Sequence, residues 1–155
     1  MRVALPALID TERLAGRVAA LARRGDFLAL SGPLGAGKTA FARAFLIATA
    51  ERAGAAPPSE VPSPTFTLVQ SYDFGGAEIA HFDLYRIRTA DEAAELGLDE
   101  AQANGIVLVE WPERLGDRIP RDRLDVALAL ARDDQRVATL TARGSWASRM
   151  AGFAA

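Results

Sequence analysis

Cysteine is absent from the 155 residues of this chain, and histidine occurs once, as His81. Without cysteine there is no disulfide framework and no thiol chemistry, and a structural zinc site loses its usual ligands. A single histidine also argues against a metal site made of several imidazole groups. The composition therefore excludes thiol enzymes and disfavours zinc proteins.

Long apolar runs are missing as well. No stretch approaches the roughly 20 residues that a membrane-spanning helix needs. The opening MRVALPALIDTERLAG has no apolar segment followed by a small-residue cleavage site. The net charge of −2 is not the basic character of a protein that binds nucleic acid by itself. We therefore expect a cytoplasmic protein without membrane contact.

Lysine is almost absent too. The chain has 18 lysine and arginine residues, and Lys38 is its single lysine. Binding a phosphate within a tight loop is a task in which a compact ammonium and a planar guanidinium are poorly exchangeable. The position of Lys38 therefore directs attention to the residues around it.

Apolar strand patterns and helical patterns alternate along the chain. The run IVLVE, residues 106–110, is typical of a strand buried on both faces, and residues 89–105 are predicted to form one helix. Gly75 and Gly76 separate two strand-like runs, which predicts a hairpin, and the last strand-like runs predict a second hairpin. The pattern predicts one α/β domain over residues 1–155, with a mixed, mostly parallel sheet flanked by helices and with antiparallel additions.

The single lysine lies in a glycine-rich turn between a predicted strand and a predicted helix. The residues that match the pattern G-x-x-x-x-G-K-[ST] are Gly32, Pro33, Leu34, Gly35, Ala36, Gly37, Lys38 and Thr39. Glycines let backbone N–H groups turn toward phosphate oxygens, and the following helix adds the positive end of its dipole. The alternative, a glycine-rich turn without a ligand, fits this context less well. We predict a P-loop NTPase domain in which this segment and Ala40 bind the nucleotide, with Lys38 catalytic at the terminal phosphates.

The sequence also indicates which nucleotide to expect and which residues are candidate ligands for its metal ion. Guanine-specific P-loop proteins usually read the base with an N-K-x-D element, which a chain with one lysine lacks, so ATP is expected. The hydroxyl of Thr39 is a candidate ligand for Mg²⁺. Two carboxylates at the ends of apolar runs, Glu110 and Asp83, are candidates for the second ligand, because strands beside the P-loop strand bring such residues to the carboxyl edge of the sheet. His81 is interpreted as structural, as a lone strand histidine more often is.

Four motifs follow one another in the sequence: SGPLGAGKT, SPTFTLVQSY, HFDLYRI and LVEWPERL. Together they resemble the TsaE family, the small P-loop ATPase of the bacterial tRNA threonylcarbamoyladenosine pathway. The first motif is shared by many proteins, whereas the other three in this order are much more specific. The resemblance extends from about Leu14 to Leu115.

The resemblance implies an ATPase that acts with TsaD and TsaB, subunits of a complex that moves a threonylcarbamoyl group onto an adenosine beside the tRNA anticodon. This member is expected to hydrolyse ATP and reset the complex between turnovers, and to meet tRNA only indirectly. By motif match, Thr39 and Glu110 would hold Mg²⁺, and Asp83 would orient water or act as a general base. Thr65 would be a switch-like contact, and Trp111 would pack at the site or against a partner.

The chain departs from the family pattern at one position. Many members have a second threonine where this chain has Ala40, so one hydroxyl near the phosphates is missing. Arg86 is a candidate for completing the positive charge around the phosphates. Pairing of Arg86 with Asp83, or a position at the surface, is an open alternative.

Two other functions remain compatible with a P-loop. A small-molecule kinase would use the segment PERLGDRIPRDR as a lid, but the two strand-like runs after it leave little room for an acceptor domain. A nucleotide-gated interaction module would change a partner surface at SPTF and Trp111, with negligible hydrolysis.

Overall fold

A computed structural model describes residues 1–153 and contains one α/β domain. The strands are β1 (Arg2–Leu5), β2 (Phe27–Ser31), β3 (Val69–Asp73), β4 (Glu78–Asp83), β5 (Ile106–Glu110), β6 (Arg123–Leu130) and β7 (Arg136–Arg143). The helices are α1 (Leu8–Leu21), α2 (Lys38–Arg52), α3 (Ala90–Glu95), α4 (Leu98–Asn104) and α5 (Trp146–Met150), with 3-10 turns at Pro112–Arg118 and Arg132–Asp134. None of the helices within residues 1–153 is long and apolar enough to cross a membrane.

The strands form one mixed sheet in the order β1-β7-β6-β2-β5-β4-β3. The three central pairs, β6 with β2, β2 with β5 and β5 with β4, are parallel. The three outer pairs are antiparallel, so they make a larger share of the sheet than expected. The predicted α/β fold with a mixed sheet is confirmed, and its parallel centre brings the ends of β2, β4 and β5 to one edge.

The core is divided in two by the alternation of side chains along β2. Leu28 and Leu30 pack on the face covered by α1 and α2, whereas Phe27 and Ala29 pack on the face covered by α3 and α4. Every residue of β5 is buried, as expected for a strand covered on both sides. The edge that carries the site is thus held by a sheet packed on both faces.

The predicted helix over residues 89–105 is in fact two helices. α3 and α4 are separated at Gly97, whose φ is 79°. Glycine adopts this left-handed conformation without steric cost, which explains the break. The predicted hairpins around Gly75 and Gly76 and between β6 and β7 are confirmed.

Candidate nucleotide and metal site

The glycine-rich turn connects β2 to α2 and leaves the N-terminus of α2 open. Gly37 precedes the helix with a left-handed φ of 103°, and its carbonyl oxygen accepts the N–H of Phe41 at 2.9 Å. Across residues 1–153, no side chain caps this terminus, so the first backbone N–H groups of α2 lack side-chain partners. An open helix N-terminus with its positive dipole end is suited to a phosphate group.

Gly32 lies against the backbone of the neighbouring strand β6. Its φ is 137°, and a Cβ atom built there would lie 2.2 Å from the carbonyl oxygen of Leu128. At the start of β7, Arg136 donates from Nη2 to the carbonyl oxygen of Gly35 at 3.2 Å. The β6–β7 hairpin therefore supports the turn at two points.

We expect Gly32→Ala to destabilise the protein by about 2 kcal/mol or more and to weaken nucleotide binding, because the turn must move away from Leu128. Thermal unfolding and titration with a fluorescent ATP analogue would measure both effects. Gly152→Ala is the matched control, since a Cβ there would meet no described atom within 4 Å. If both variants melted and bound nucleotide like the parent chain, the close approach at Gly32 would have no energetic importance.

Lys38 is bound by the turn that contains it. The side chain is 5% exposed, and Nζ donates to the carbonyl oxygens of Gly32 and Pro33 at 2.6 and 2.9 Å. Burial lowers the pKa of Lys38 from its ordinary value, and the negative charges of Glu110 and Asp83 oppose that shift. The ammonium group is therefore oriented but poorly hydrated, and phosphate oxygens would replace part of the lost hydration.

Thr39 of α2 and Glu110 of β5 are joined by hydrogen bonds at this edge. The Thr39 hydroxyl donates to Oε1 and Oε2 of Glu110 at 3.1 and 3.2 Å, and Glu110 is only 2% exposed. Because the hydroxyl proton is directed to the carboxylate, the hydroxyl lone pairs remain available to a cation. Hydroxyl and carboxylate oxygens, completed by phosphate oxygens and water, are ligands that Mg²⁺ prefers. These two residues therefore fit a magnesium ion.

His81 also contacts Glu110, which the sequence did not predict. Its side chain is fully buried, and Nε2 lies 2.7 Å from Oε2 of Glu110. A structural role for His81 is the prediction from the sequence, and the residue is fully buried. The spacing His81-x-Asp83 did contain a signal, because residues two apart on a strand point to the same face.

Asp83 lies beside Glu110 but has different partners. The parallel register of β4 and β5 pairs the two residues. Oδ2 of Asp83 accepts the hydroxyl of Thr65 at 3.0 Å, and Oδ1 accepts the backbone N–H of Tyr85 at 2.9 Å. Thr65 is also 2.7 Å from the hydroxyl of Ser63. Glu110 is thus connected to the P-loop helix, whereas Asp83 is connected to the SPTF loop.

Trp111 forms the aromatic side of the site. Its backbone is left-handed, with φ 59°, which is uncommon for a bulky residue. The Trp111 ring lies 4.3 Å from Nζ of Lys38 and 4.9 Å from the ring of Tyr85. Ala40 lies in the first turn of α2 and is partly buried.

Arg86 is not directed at the P-loop in this structure. Its guanidinium group stacks 4.2 Å from the centre of the Phe66 ring, and Phe66 is 77% exposed. Of the candidate residues, the structure therefore brings Lys38, Thr39, Asp83 and Glu110 together, whereas Arg86, which follows β4, stacks on Phe66 of the SPTF loop.

Comparison with known proteins identifies the family of this chain. Residues 5–138 match the family model described as threonylcarbamoyl adenosine biosynthesis protein TsaE. A tRNA threonylcarbamoyladenosine biosynthesis protein TsaE from Bacillus subtilis is 41% identical over 137 residues, covering 88% of this chain and 82% of that protein. The protein of the same name from Rickettsia bellii is 34% identical over 132 residues, covering 85% and 88%.

A solved structure agrees with these sequence matches. The crystal structure of Bacillus subtilis YdiB aligns with a TM-score of 0.76 and 32% identity, covering 96% of this chain and 90% of that chain. Because the family model, the relatives and this fold all align over most of the chain, the protein belongs to the TsaE family, as its four motifs predicted.

Proposed function

We propose that this protein binds ATP with Mg²⁺ and hydrolyses it within tRNA threonylcarbamoyladenosine biosynthesis. Its hydrolysis would reset the TsaD–TsaB transferase between turnovers in the cytoplasm, and that complex would connect it indirectly to tRNA. The observation that carries the nucleotide and metal part is the hydrogen bond from Thr39 to Glu110, beside Lys38 at the open N-terminus of α2. The pathway is supported by the names of relatives from several bacteria.

In the proposed reaction, the protein mainly positions groups and neutralises charge. The backbone N–H groups of the turn and the ammonium group of Lys38 would contact the phosphates. Thr39 and Glu110 would hold Mg²⁺, which supplies positive charge at the phosphate oxygens when bound. Asp83 would accept a hydrogen bond from the attacking water, since its carboxylate lies at the same sheet edge as Glu110.

We expect hydrolysis to be slow in the isolated chain. Arg86 is stacked on Phe66, so it is not available to the phosphates, and Asp83 is engaged by Thr65, so its carboxylate is not fully available to the attacking water in this conformation. A partner that contacts the exposed Phe66 would be able to change both arrangements at once. TsaD and TsaB are the partners that we propose, on the basis of the family.

Phosphate release should therefore rise at least about tenfold when TsaD and TsaB are added. The experiment measures inorganic phosphate from the chain alone, from the TsaD–TsaB pair alone and from the mixture. Thr39→Ala serves as the inactive control, because it removes the hydroxyl proposed to bind the metal. Rapid hydrolysis by the isolated chain, with no stimulation, would contradict the proposal.

The same assay distinguishes the two alternatives. Transfer of labelled γ-phosphate to a metabolite instead of water would favour a kinase. In the segment considered as its lid, residues 112–123, only Pro112–Arg118 form short 3-10 turns; Arg118 pairs with Asp91, and β6 begins at Arg123. If a single turnover in the assembled complex released no phosphate, a nucleotide-gated interaction module would remain.

A further inference from the structure

We propose that His81 is a positioning residue that fixes the carboxylate of Glu110 and thereby sets the affinity for Mg²⁺. This inference rests on the proposed function, because it concerns the same metal site. It gives a role to a buried polar residue that the proposed reaction does not otherwise use.

The hydrogen bond between the two side chains has one direction. Oε2 of Glu110 is a carboxylate oxygen and can only accept, so Nε2 of His81, 2.7 Å away, is the donor. Both side chains are buried, at 0% and 2% exposure, so water competes little for this bond. A hydrogen bond to an ionised carboxylate in such surroundings is among the stronger kinds.

The other ring nitrogen indicates why a histidine lies here. Nδ1 of His81 is buried and has no hydrogen-bond partner among the residues that the structure describes. A buried polar atom without a partner is unfavourable, and an apolar side chain at this position would avoid that cost. The imidazole therefore fits this position through Nε2 and its bond to Glu110, and packing alone does not account for it.

His81 and Thr39 donate hydrogen bonds to the carboxylate of Glu110 in different ways. His81 holds Oε2, while the Thr39 hydroxyl is shared between both oxygens at 3.1 and 3.2 Å. Oε1 therefore receives only the shared Thr39 bond and retains lone-pair capacity for the cation or for a water bound to it. Without the His81 bond, the carboxylate would be free to turn, and the ligands would lose their alignment. Groups that orient a metal ligand typically affect metal affinity by about 10- to 100-fold.

The test compares His81→Leu with His81→Gln in the full chain. We expect His81→Leu to weaken Mn²⁺ binding, measured by electron paramagnetic resonance in the presence of ADP, by about tenfold or more. Affinity for ADP in EDTA should stay the same, because the P-loop contacts are untouched. His81→Gln should restore most of the Mn²⁺ affinity, since its amide nitrogen is able to donate to Glu110.

A second cycle separates positioning from a general effect on the fold. In a Glu110→Gln background, where the carboxylate is already lost, His81→Leu should change Mn²⁺ affinity less than twofold. If His81→Leu does not fold, His81→Asn replaces it, because its shorter side chain does not reach Glu110. Folded His81 variants with parental Mn²⁺ affinity, or with losses that simply add to that of Glu110→Gln, would overturn the inference.

Failure of this inference is distinguishable from failure of the proposed function. If Glu110→Gln itself leaves Mn²⁺ affinity unchanged, the proposed metal site is wrong and the role of His81 falls with it. If Glu110→Gln weakens Mn²⁺ binding and the His81 variants do not, the metal site stands and only the positioning role is overturned.

Discussion

Replacing Glu110 by glutamine should reduce Mg²⁺-dependent ATP turnover by about 100-fold while leaving part of the nucleotide affinity intact. The carboxylate is buried against the Thr39 hydroxyl, so its negative charge is available to a cation with little screening by water. The amide of glutamine keeps the shape of the side chain but loses that charge. Phosphate release in the assembled complex, measured over a range of Mg²⁺ concentrations, would show the effect.

Glu113→Gln is the matched control for Glu110→Gln. Glu113 is exposed in the next turn of chain and also acts on Lys38 through its charge, so it tests whether any nearby carboxylate suffices. We expect its turnover to stay within about twofold of the parent, since an exposed charge is strongly screened. If instead Glu110→Gln left hydrolysis unchanged, Asp83 would become the metal partner, or the site would have to be reassigned.

Asp83→Asn should lower turnover in the complex by about 100-fold but, unlike Glu110→Gln, should leave the affinity for Mg²⁺ nearly unchanged. An asparagine can still accept the Tyr85 N–H with Oδ1, and its Nδ2 can donate to the Thr65 oxygen in the reverse direction, but it cannot take up a proton. Single-turnover phosphate release and a Mn²⁺ titration on the same sample would separate the two quantities. Asp99→Asn, on the exposed start of α4, is the control for a charge change of the same kind.

The pair of variants assigns the two carboxylates. The proposed roles would be established if Glu110→Gln raised the Mg²⁺ concentration that turnover requires and Asp83→Asn lowered the rate of hydrolysis. A Mn²⁺ affinity that falls mainly in Asp83→Asn would exchange them. Because the strand register places these two residues side by side, their positions alone do not assign the roles. The experiment assigns them by showing which carboxylate affects metal binding and which affects the rate.

The placement of the site was predictable because it depends on strand direction. Carboxylates at the ends of two apolar runs reach the same edge as a P-loop whenever the strands are parallel neighbours. Lys38, Thr39, Asp83 and Glu110 meet there for that reason. The family could also be named from its four short motifs, which the comparison with relatives then confirmed.

Side-chain partners were not predictable in the same way. The sequence left Arg86 with several possible positions, and the stacking on Phe66 depends on how the SPTF loop folds back toward β4. The spacing His81-x-Asp83 places His81 on the same strand face as Asp83, but the pairing of β4 with β5 that brings Glu110 to that face is not contained in any local pattern. The break at Gly97 was missed because a glycine inside a helical pattern is often tolerated.

The contact between Gly32 and Leu128 limits where the chain can be truncated. All four family motifs end by Leu115, yet the glycine-rich turn rests on β6 and receives a hydrogen bond from Arg136 of β7. A fragment that kept every motif but stopped before the final hairpin would lack the surface against which the turn is shaped. The smallest unit that keeps this turn in shape is therefore longer than the stretch covered by the four motifs, and engineered truncations or fusions belong after β7.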